Sequence, residues 1–293
     1  MIKGLLKKCK IRIKRIIRRF VPQKMIARRW HYRILGKPIN LKNPVSFSDK
    51  LEWYKLYYRD ELMRTCTDKA SVRDYVESCG YGHLLNECYG VYDSVEDIDW
   101  NKLPSRFVLK NTLGGSGKGV LLIFDKDKMD LESATKTMKW WLESCSYCKT
   151  YAGEWVYEDR KARIIAEKLL IDAPETDLPD YKFFCFHGHV FCSYLMRGCS
   201  AKSDRHVGEV AILDRDFKLL PARRADFHQI MEQPQKPKNY ETMVEIAEKL
   251  SEPFPHVRVD FYNLDGTIIF GELTFLVLHG TLGDESLTSG RDK

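Results

Sequence analysis

The sequence predicts an α+β fold, with helices set apart from antiparallel sheets, and two kinds of observation carry that prediction. The first is a set of strand–turn–strand units: RFVLKNTLGGSGKGVLLIF from residue 106, DYKFFCFHGHVFCSYLMRG from 180 and VRVDFYNLDGTIIFGELTF from 257. Each holds two runs rich in β-branched and aromatic residues around a short glycine-containing connection, the mark of antiparallel pairing. The second is a set of segments with helical spacing between these units, LESATKTMKWWLES and NYETMVEIAEKLSEPF among them. At 293 residues and 44% hydrophobic content the chain has enough apolar material for a full core.

The N-terminal stretch reads differently from the rest. Residues 1–37 hold fourteen Lys and Arg and no acid, leaving 34 basic against 41 acidic residues beyond them. Ile2, Leu5, Leu6, Cys9, Ile13, Ile16, Ile17 and Phe20 recur at helical spacing until Pro22, so the segment predicts a basic amphipathic helix. Such a helix suits the anionic surface of a membrane, lying in the headgroup plane. A helix packed on the body with a solvated basic face, or an Arg-rich transit peptide, is the alternative. There is no run of about 18 apolar residues and no signal-peptide pattern, which points to a cytoplasmic protein attached peripherally to the inner face of the membrane. The net acidic body argues against nucleic acid as a partner. Nine scattered cysteines suit free thiols better than a disulfide framework, and Cys145 and Cys148 form a lone C-x-x-C without a second ligand pair.

Residues 38–66 predict a short helical lead-in capped near Ser46 or Ser48, and a further helix is expected from about Lys69 to Ser78. The strand ending in Lys110 is followed by Gly114, Gly115, Ser116, Gly117, Lys118 and Gly119, a loop whose backbone N–H groups can approach phosphate oxygens. It lacks the Walker A pattern, with Thr112 and Gly119 at the diagnostic positions, and no kinase triplets accompany it. A flexible hairpin is the plain reading of the loop alone. ARIIAEKLLID is the next strand, and DAPETDLPD a surface loop.

In VRVDFYNLDGTIIFGELTF, side chains two apart share a face, so Arg258 and Asp260 point together and Glu272 joins them across a turn at Asp265 and Gly266. Two carboxylates with a guanidinium fit Mg²⁺ and a phosphoryl group; a cross-strand salt bridge is the plainer reading, yet it leaves acids unexplained within apolar strands.

The order of strand lysine, glycine loop, Glu167–Lys168 pair, R-x-D and later glutamate resembles the ATP-grasp superfamily. More narrowly, NPVSFSDKLEWYKL, TDKASVRDYV, LPSRFVLKN, RIIAEKLL, DYKFFCF and FPHVRVDFYNLDGTIIFGELTF are similar to the TupA-like ATP-grasp proteins of bacterial polysaccharide and teichuronopeptide gene clusters, over residues 40–275. The resemblance implies two α+β subdomains with ATP between antiparallel sheets, here over residues 67–280. It implies Glu167, Lys168 and Leu169 at the adenine, Lys110 at the α and β phosphates, the glycine loop over the β and γ phosphates, and Asp180 and Lys182 at ribose or phosphate. Asp260, Glu272 and Thr274 would hold Mg²⁺ and Arg258 would stabilise the transferring phosphoryl group. The implied activity is an ATP-dependent carboxylate–amine ligase working through an acylphosphate, joining an amino acid or other amine to a uronic acid or similar glycan acceptor. Thr274 stands where most of the superfamily has asparagine, the usual preceding domain is reduced to a few helices, and residues 281–293 read as an irregular, truncated terminus. Two alternatives stay open: a glycosyltransferase, suggested by the D-x-D of Asp214 and Asp216, and a catalytically impaired relative.

Overall fold

The computed structural model describes residues 21–115, 119–148, 154–174, 176–198, 208–224 and 227–276. The amphipathic pattern up to Phe20, the middle of the glycine loop and the terminus expected to be irregular lie outside the described residues.

Two antiparallel sheets organise the chain. The smaller has the order β1-β4-β2-β3, from Cys88–Tyr92, Phe107–Asn111, Val120–Ile123 and Ile164–Glu167. The larger has the order β10-β9-β5-β6-β7-β8, from Asp180–Phe186, His189–Arg197, Glu209–Asp214, His228–Gln229, His256–Leu264 and Thr267–Thr274, with only β7 and β8 parallel. The three strand–turn–strand units of the sequence are the hairpins β2–β3, β5–β6 and β9–β10. Two of them turn through a pair of residues with positive φ, His187 (49°) with Gly188 (77°) and Asp265 (48°) with Gly266 (93°). That geometry matches the strand twist, and it accounts for the H-x-H of His187 and His189 as a turn and a strand start.

Six helices complete the described chain. α1 (Gln23–Leu35) begins directly after Pro22, inside the basic segment, and ends at Gly36 in the left-handed conformation. α2 (Phe47–Tyr57) is capped by Ser46, whose hydroxyl accepts from the Asp49 N–H and donates to the Asp49 carboxylate. α3 (Glu61–Thr67) follows, and α4 (Val72–Ser78) starts later than its sequence suggests because the Asp68 carboxylate takes the N–H groups of Ala70 and Ser71 in the preceding turn. α5 (Leu131–Cys148) contains the C-x-x-C in its last turn; the side chains there lie outside the described residues.

Alternation along the strands separates core from site. Phe183 and Cys185 of β5 and Val257, Val259 and Phe261 of β9 face α6 (Tyr240–Ser251), whose Tyr240, Met243, Val244, Ala247 and Leu250 complete the main core. At roughly 1.5–3 kcal/mol for each large side chain buried, this face fixes the register of both strands. On the smaller sheet, Phe107, Leu109, Ile164 and Ala166 pack against Ala134, Met138 and Trp141 of α5. The opposite faces carry Lys110 and Glu167 on one sheet and Lys182, Arg258 and Asp260 on the other.

Candidate active site

The polar faces of the two sheets meet at a cleft lined by Lys69, Arg73, Asn86, Lys110 and Glu167 together with Phe270 and Gly271 of the larger sheet. Each wall has its own ion-pair network.

On the smaller sheet, Val108 stands opposite Glu167 in the register, which places Lys110 one diagonal step away. The Lys110 ammonium donates to Glu167 Oε2 at 2.7 Å, and Arg73, reaching in from α4, donates to Oε1 at 3.4 Å. Glu167 is buried while the two cations are about one-fifth exposed. The chain leaving β4 is pinned by a second segment: the Lys168 N–H donates to Glu87 O at 2.9 Å, and Lys168 O accepts from Asn86 Nδ2 at 2.9 Å. Lys168 is exposed and Leu169 half-buried.

The glycine loop is closed at its base. Gly114 and Gly119 face each other: a Cβ on Gly119 would lie 3.2 Å from the Gly114 Cα and 3.0 Å from the Asn111 Cβ. The Asn111 N–H donates to Gly119 O and the Gly114 N–H to Asn111 O, so both glycines serve close backbone approach. Gly115 follows half-buried; Ser116, Gly117 and Lys118 lie outside the described residues.

The larger sheet supplies the denser network. Glu272 reaches the site face through a β-bulge: Phe270 pairs with Phe261 and Glu272 with Asp260, leaving Gly271 as the extra residue. A Cβ on Gly271 would lie 3.0 Å from the Asp260 carbonyl oxygen, so the bulge needs glycine. Arg258 donates to both Asp260 oxygens at 2.6 Å, to Glu272 Oε1 at 3.0 Å and to the Thr274 hydroxyl at 3.0 Å. Thr274 in turn donates to Glu272 Oε1 at 2.8 Å. Lys182 donates to Asp260 Oδ2 at 2.7 Å and also pairs with Asp180. Asp180 Oδ1 is buried without a hydrogen-bond partner among the described residues.

Electrostatics favour the charged forms of Glu272, Arg258 and Lys182. Burial alone would raise the Glu272 carboxyl, but Lys69, Arg258 and Lys182 outweigh it and hold the group well below the usual carboxylate range. Burial likewise works against charge on Arg258 and Lys182, and the surrounding acids reverse it, Asp260 foremost for the arginine and Asp180 for the lysine; both bind their protons more tightly than usual. Asp180 is pushed up by burial, with Asp260 adding to the rise.

Lys69 ties the two walls together. Its ammonium donates to Gly114 O at 2.7 Å and lies 3.5 Å from Glu272 Oε2. Sequence reading assigned no site role to Lys69, Arg73 or Asn86. Arg73 lies in the first turn of α4 and Lys69 in the turn before it, so the four-residue spacing, which suits one side of a helix, is only a partial signal. Asn86 lies in a segment without periodicity and left none.

Hard oxygen donors are the right chemistry for Mg²⁺. Asp260 and Glu272 stand opposite each other, and among the described residues Glu272 Oε2, on a side chain 35% exposed, meets Lys69 at 3.5 Å. Among the described residues no three His, Cys, Asp or Glu side chains converge to hold a metal by themselves, so such an ion would be shared with phosphate oxygens. The D-x-D lies elsewhere, in the turn after β7. Asp214 Oδ1 accepts from the N–H groups of Asp216 and Lys218, and Arg215 pairs with Glu248.

A family model described as TupA-like ATPgrasp matches residues 49–287. No curated protein sequence matches. Among solved structures, the chain is similar to D-alanine–D-alanine ligase from Bacillus anthracis, at 20% identity and a TM-score of 0.44, covering 72% of this chain and 57% of that one. It is also similar to N5-carboxyaminoimidazole ribonucleotide synthetase in an ADP complex (15%, 0.46, 78% and 51%) and to L-amino acid ligase from Bacillus licheniformis (14%, 0.44, 80% and 46%). The chain thus spans between about a half and three-fifths of the length of these structures.

Proposed function

The chain belongs to the TupA-like ATP-grasp family, and from that premise we propose that it is an ATP-dependent carboxylate–amine ligase of cell-surface polysaccharide synthesis. The observation that carries the reading is the pair of ion networks, Lys110, Arg73 and Glu167 on the smaller sheet and Arg258, Lys182, Asp260 and Glu272 on the larger, bridged by Lys69, which donates to Gly114 O and reaches Glu272. These cations lie on acids that a polyphosphate can displace.

In the proposed reaction a substrate carboxylate oxygen attacks the γ-phosphorus of ATP. The P–O bond to ADP breaks and an acylphosphate forms. An amine then attacks the acyl carbon, the C–O bond to phosphate breaks, and the amide forms with loss of a proton from nitrogen. Every protein contribution is positioning and charge stabilisation, with no covalent nucleophile. Lys110 and the backbone of the loop from Gly114 to Gly119 hold the polyphosphate. Glu167 and the chain leaving β4 at Lys168 and Leu169 lie at the base, and Lys182 at the phosphate or ribose. The buried, unpartnered Asp180 Oδ1 accepts from a ribose hydroxyl. Arg258 faces the charge that builds on the transferring phosphoryl group. Asp260 and Glu272 would hold Mg²⁺, whose contribution is to neutralise the phosphate oxygens, and Thr274 keeps Glu272 oriented.

The family setting suggests a uronic acid or related glycan carboxylate as acceptor and an amino acid as amine donor. A screen of ADP and phosphate release from ATP across amino acids and uronic-acid glycans tests this. Release that needs both a carboxylate and an amine, and disappears in Lys110→Ala, is the expected result. Release with no co-substrate dependence in any combination would overturn it.

A further inference from the structure

The basic character of the N-terminal segment does not stop at residue 37. Between residues 21 and 57, seven Lys and Arg side chains are exposed, from Lys24 to Lys50, and no Asp or Glu is. The only two acids there are turned inward. Asp49 accepts from the Asn40 N–H at 2.9 Å and lies 3.7 Å from His31, and Glu52 pairs with the buried Lys55 at 2.8 Å.

The same region concentrates exposed apolar groups. Eleven large hydrophobic side chains are exposed among the described residues, and six of them, Met25, Tyr32, Ile34, Val45, Trp53 and Tyr57, belong to residues 21–57. Four of them follow helical stripes, while Val45 precedes α2 and Ile34 lies on the other side of α1 from Met25. On α1, Met25 and Tyr32 lie seven apart with Arg28 and Arg29 between them, while Ala27 and His31 pack inward. On α2, Lys50, Trp53 and Tyr57 recur at three- and four-residue steps, and Leu51, Tyr54 and Lys55 are buried. Trp53 and Tyr57 are themselves in contact, with ring centroids 5.4 Å apart.

We propose that α1 and α2 together form a docking surface for an anionic lipid leaflet, so that the folded body, and not only the segment before it, sits against the membrane. Acid-free cationic surface is complementary to anionic headgroups, and Trp and Tyr beside it suit the depth at which amphipathic rings settle in a bilayer. Exposed aliphatic groups such as Met25 and Val45 gain nothing from a phosphate backbone but do gain from the acyl boundary, which favours lipid over nucleic acid. The inference is independent of the ligase reading.

The test uses the full chain with vesicles of phosphatidylcholine alone and of phosphatidylcholine mixed with phosphatidylglycerol. Binding to the mixed vesicles only is expected. Replacing Arg28, Arg29 and Arg33 together by Glu weakens the partition coefficient at least about tenfold, since each cation near an anionic surface counts separately. Nine further Lys and Arg in residues 1–20 can bind in parallel, so a second readout reports α2 directly: brominated lipid quenches tryptophan fluorescence in the wild type, and Trp53→Phe, a conservative change, removes part of that quenching. Unchanged partitioning of the triple variant together with quenching independent of Trp53 overturns the proposal. So does tighter binding to a soluble polyanion that anionic vesicles fail to displace.

Discussion

The two walls of the cleft hold similar charges by different means. On the larger sheet, Arg258, Asp260, Glu272, Thr274 and Lys182 come from three adjacent strands and bind one another through short bonds, with Asp260 only 5% exposed at its side chain. On the smaller sheet, Lys110 and Glu167 form one strand-to-strand pair, and the second cation, Arg73, is borrowed from a helix and sits 3.4 Å away. The first wall is a closed network in which removing one member strands the rest. The second is looser, with cations exposed enough to turn to solvent. An enzyme that must hold phosphoryl groups rigidly and release a nucleotide gains from that asymmetry.

The largest expected effect comes from breaking the closed wall. Asp260→Asn takes from Arg258 its main counter-charge and leaves Lys182 with Asp180 as its close acidic partner, at a cost of about 3–5 kcal/mol of stability in a urea titration and a loss of ATP turnover of roughly a thousandfold or more. Glu167→Gln, the matching change on the other wall, should cost clearly less stability, because Lys110 and Arg73 can recover hydration. Equal losses would erase the distinction between the walls.

Acid should act on the larger sheet through His256 at the start of β9. It is buried against Phe186 and Tyr54, and burial pushes its imidazole down to about 4. The unfolded chain takes up this proton near pH 6.5 and the folded chain only near 4, so stability falls as pH drops through that interval and then levels, by up to about 3 kcal/mol. Glu272 contributes in the opposite range: with its folded value depressed, its stabilisation is present above the usual carboxylate range and is lost only in stronger acid. Urea midpoints at pH 7 and pH 5 should therefore diverge in the wild type and converge in His256→Gln.

A smaller effect is expected at the loop of the looser wall. In Gly119→Ala the new methyl meets Asn111 and Gly114 at 3.0 and 3.2 Å, within backbone that cannot easily retreat. About 1–3 kcal/mol of stability should be lost, with weaker nucleotide binding than that loss alone explains. The smallest effect of all is Asp216→Ala, which should leave turnover within about twofold, since Asp216 lies in a turn of the chain away from both walls. Loss of activity there would revive the glycosyltransferase alternative drawn from the D-x-D of Asp214 and Asp216.

What the sequence disclosed follows the same asymmetry. β9 and β10 are neighbours in the chain, joined by a two-residue turn, so their proximity was plain and Arg258 with Asp260 share a face by alternation, whereas strict alternation across that turn pairs Asp260 with Gly271 and turns Glu272 to the other face. The bulge at Gly271 that makes their pairing work was not visible, because a bulge shifts register without changing composition. The hairpins β2–β3 and β5–β6 were equally plain. β1 and β7 were missed: β1 is short, carries Gly90 and has no fully buried residue, and β7 owes its place to pairing with β6. Lys69, Arg73 and Asn86 join the site across long stretches of chain, through contacts that no local pattern encodes. Helix α1 went unassigned because Pro22 read as a stop, whereas proline at a helix entrance is compatible with a start.

The central claim is that the two walls close on one nucleotide. Calorimetric titration of ATP with Mg²⁺ into the wild type, Lys110→Ala and Glu272→Gln tests it most directly. Micromolar-class binding in the wild type, lost with Lys110→Ala and stripped of its magnesium dependence in Glu272→Gln, is the predicted outcome. Absence of ATP binding by the folded wild type, or affinity that neither substitution alters, would contradict it.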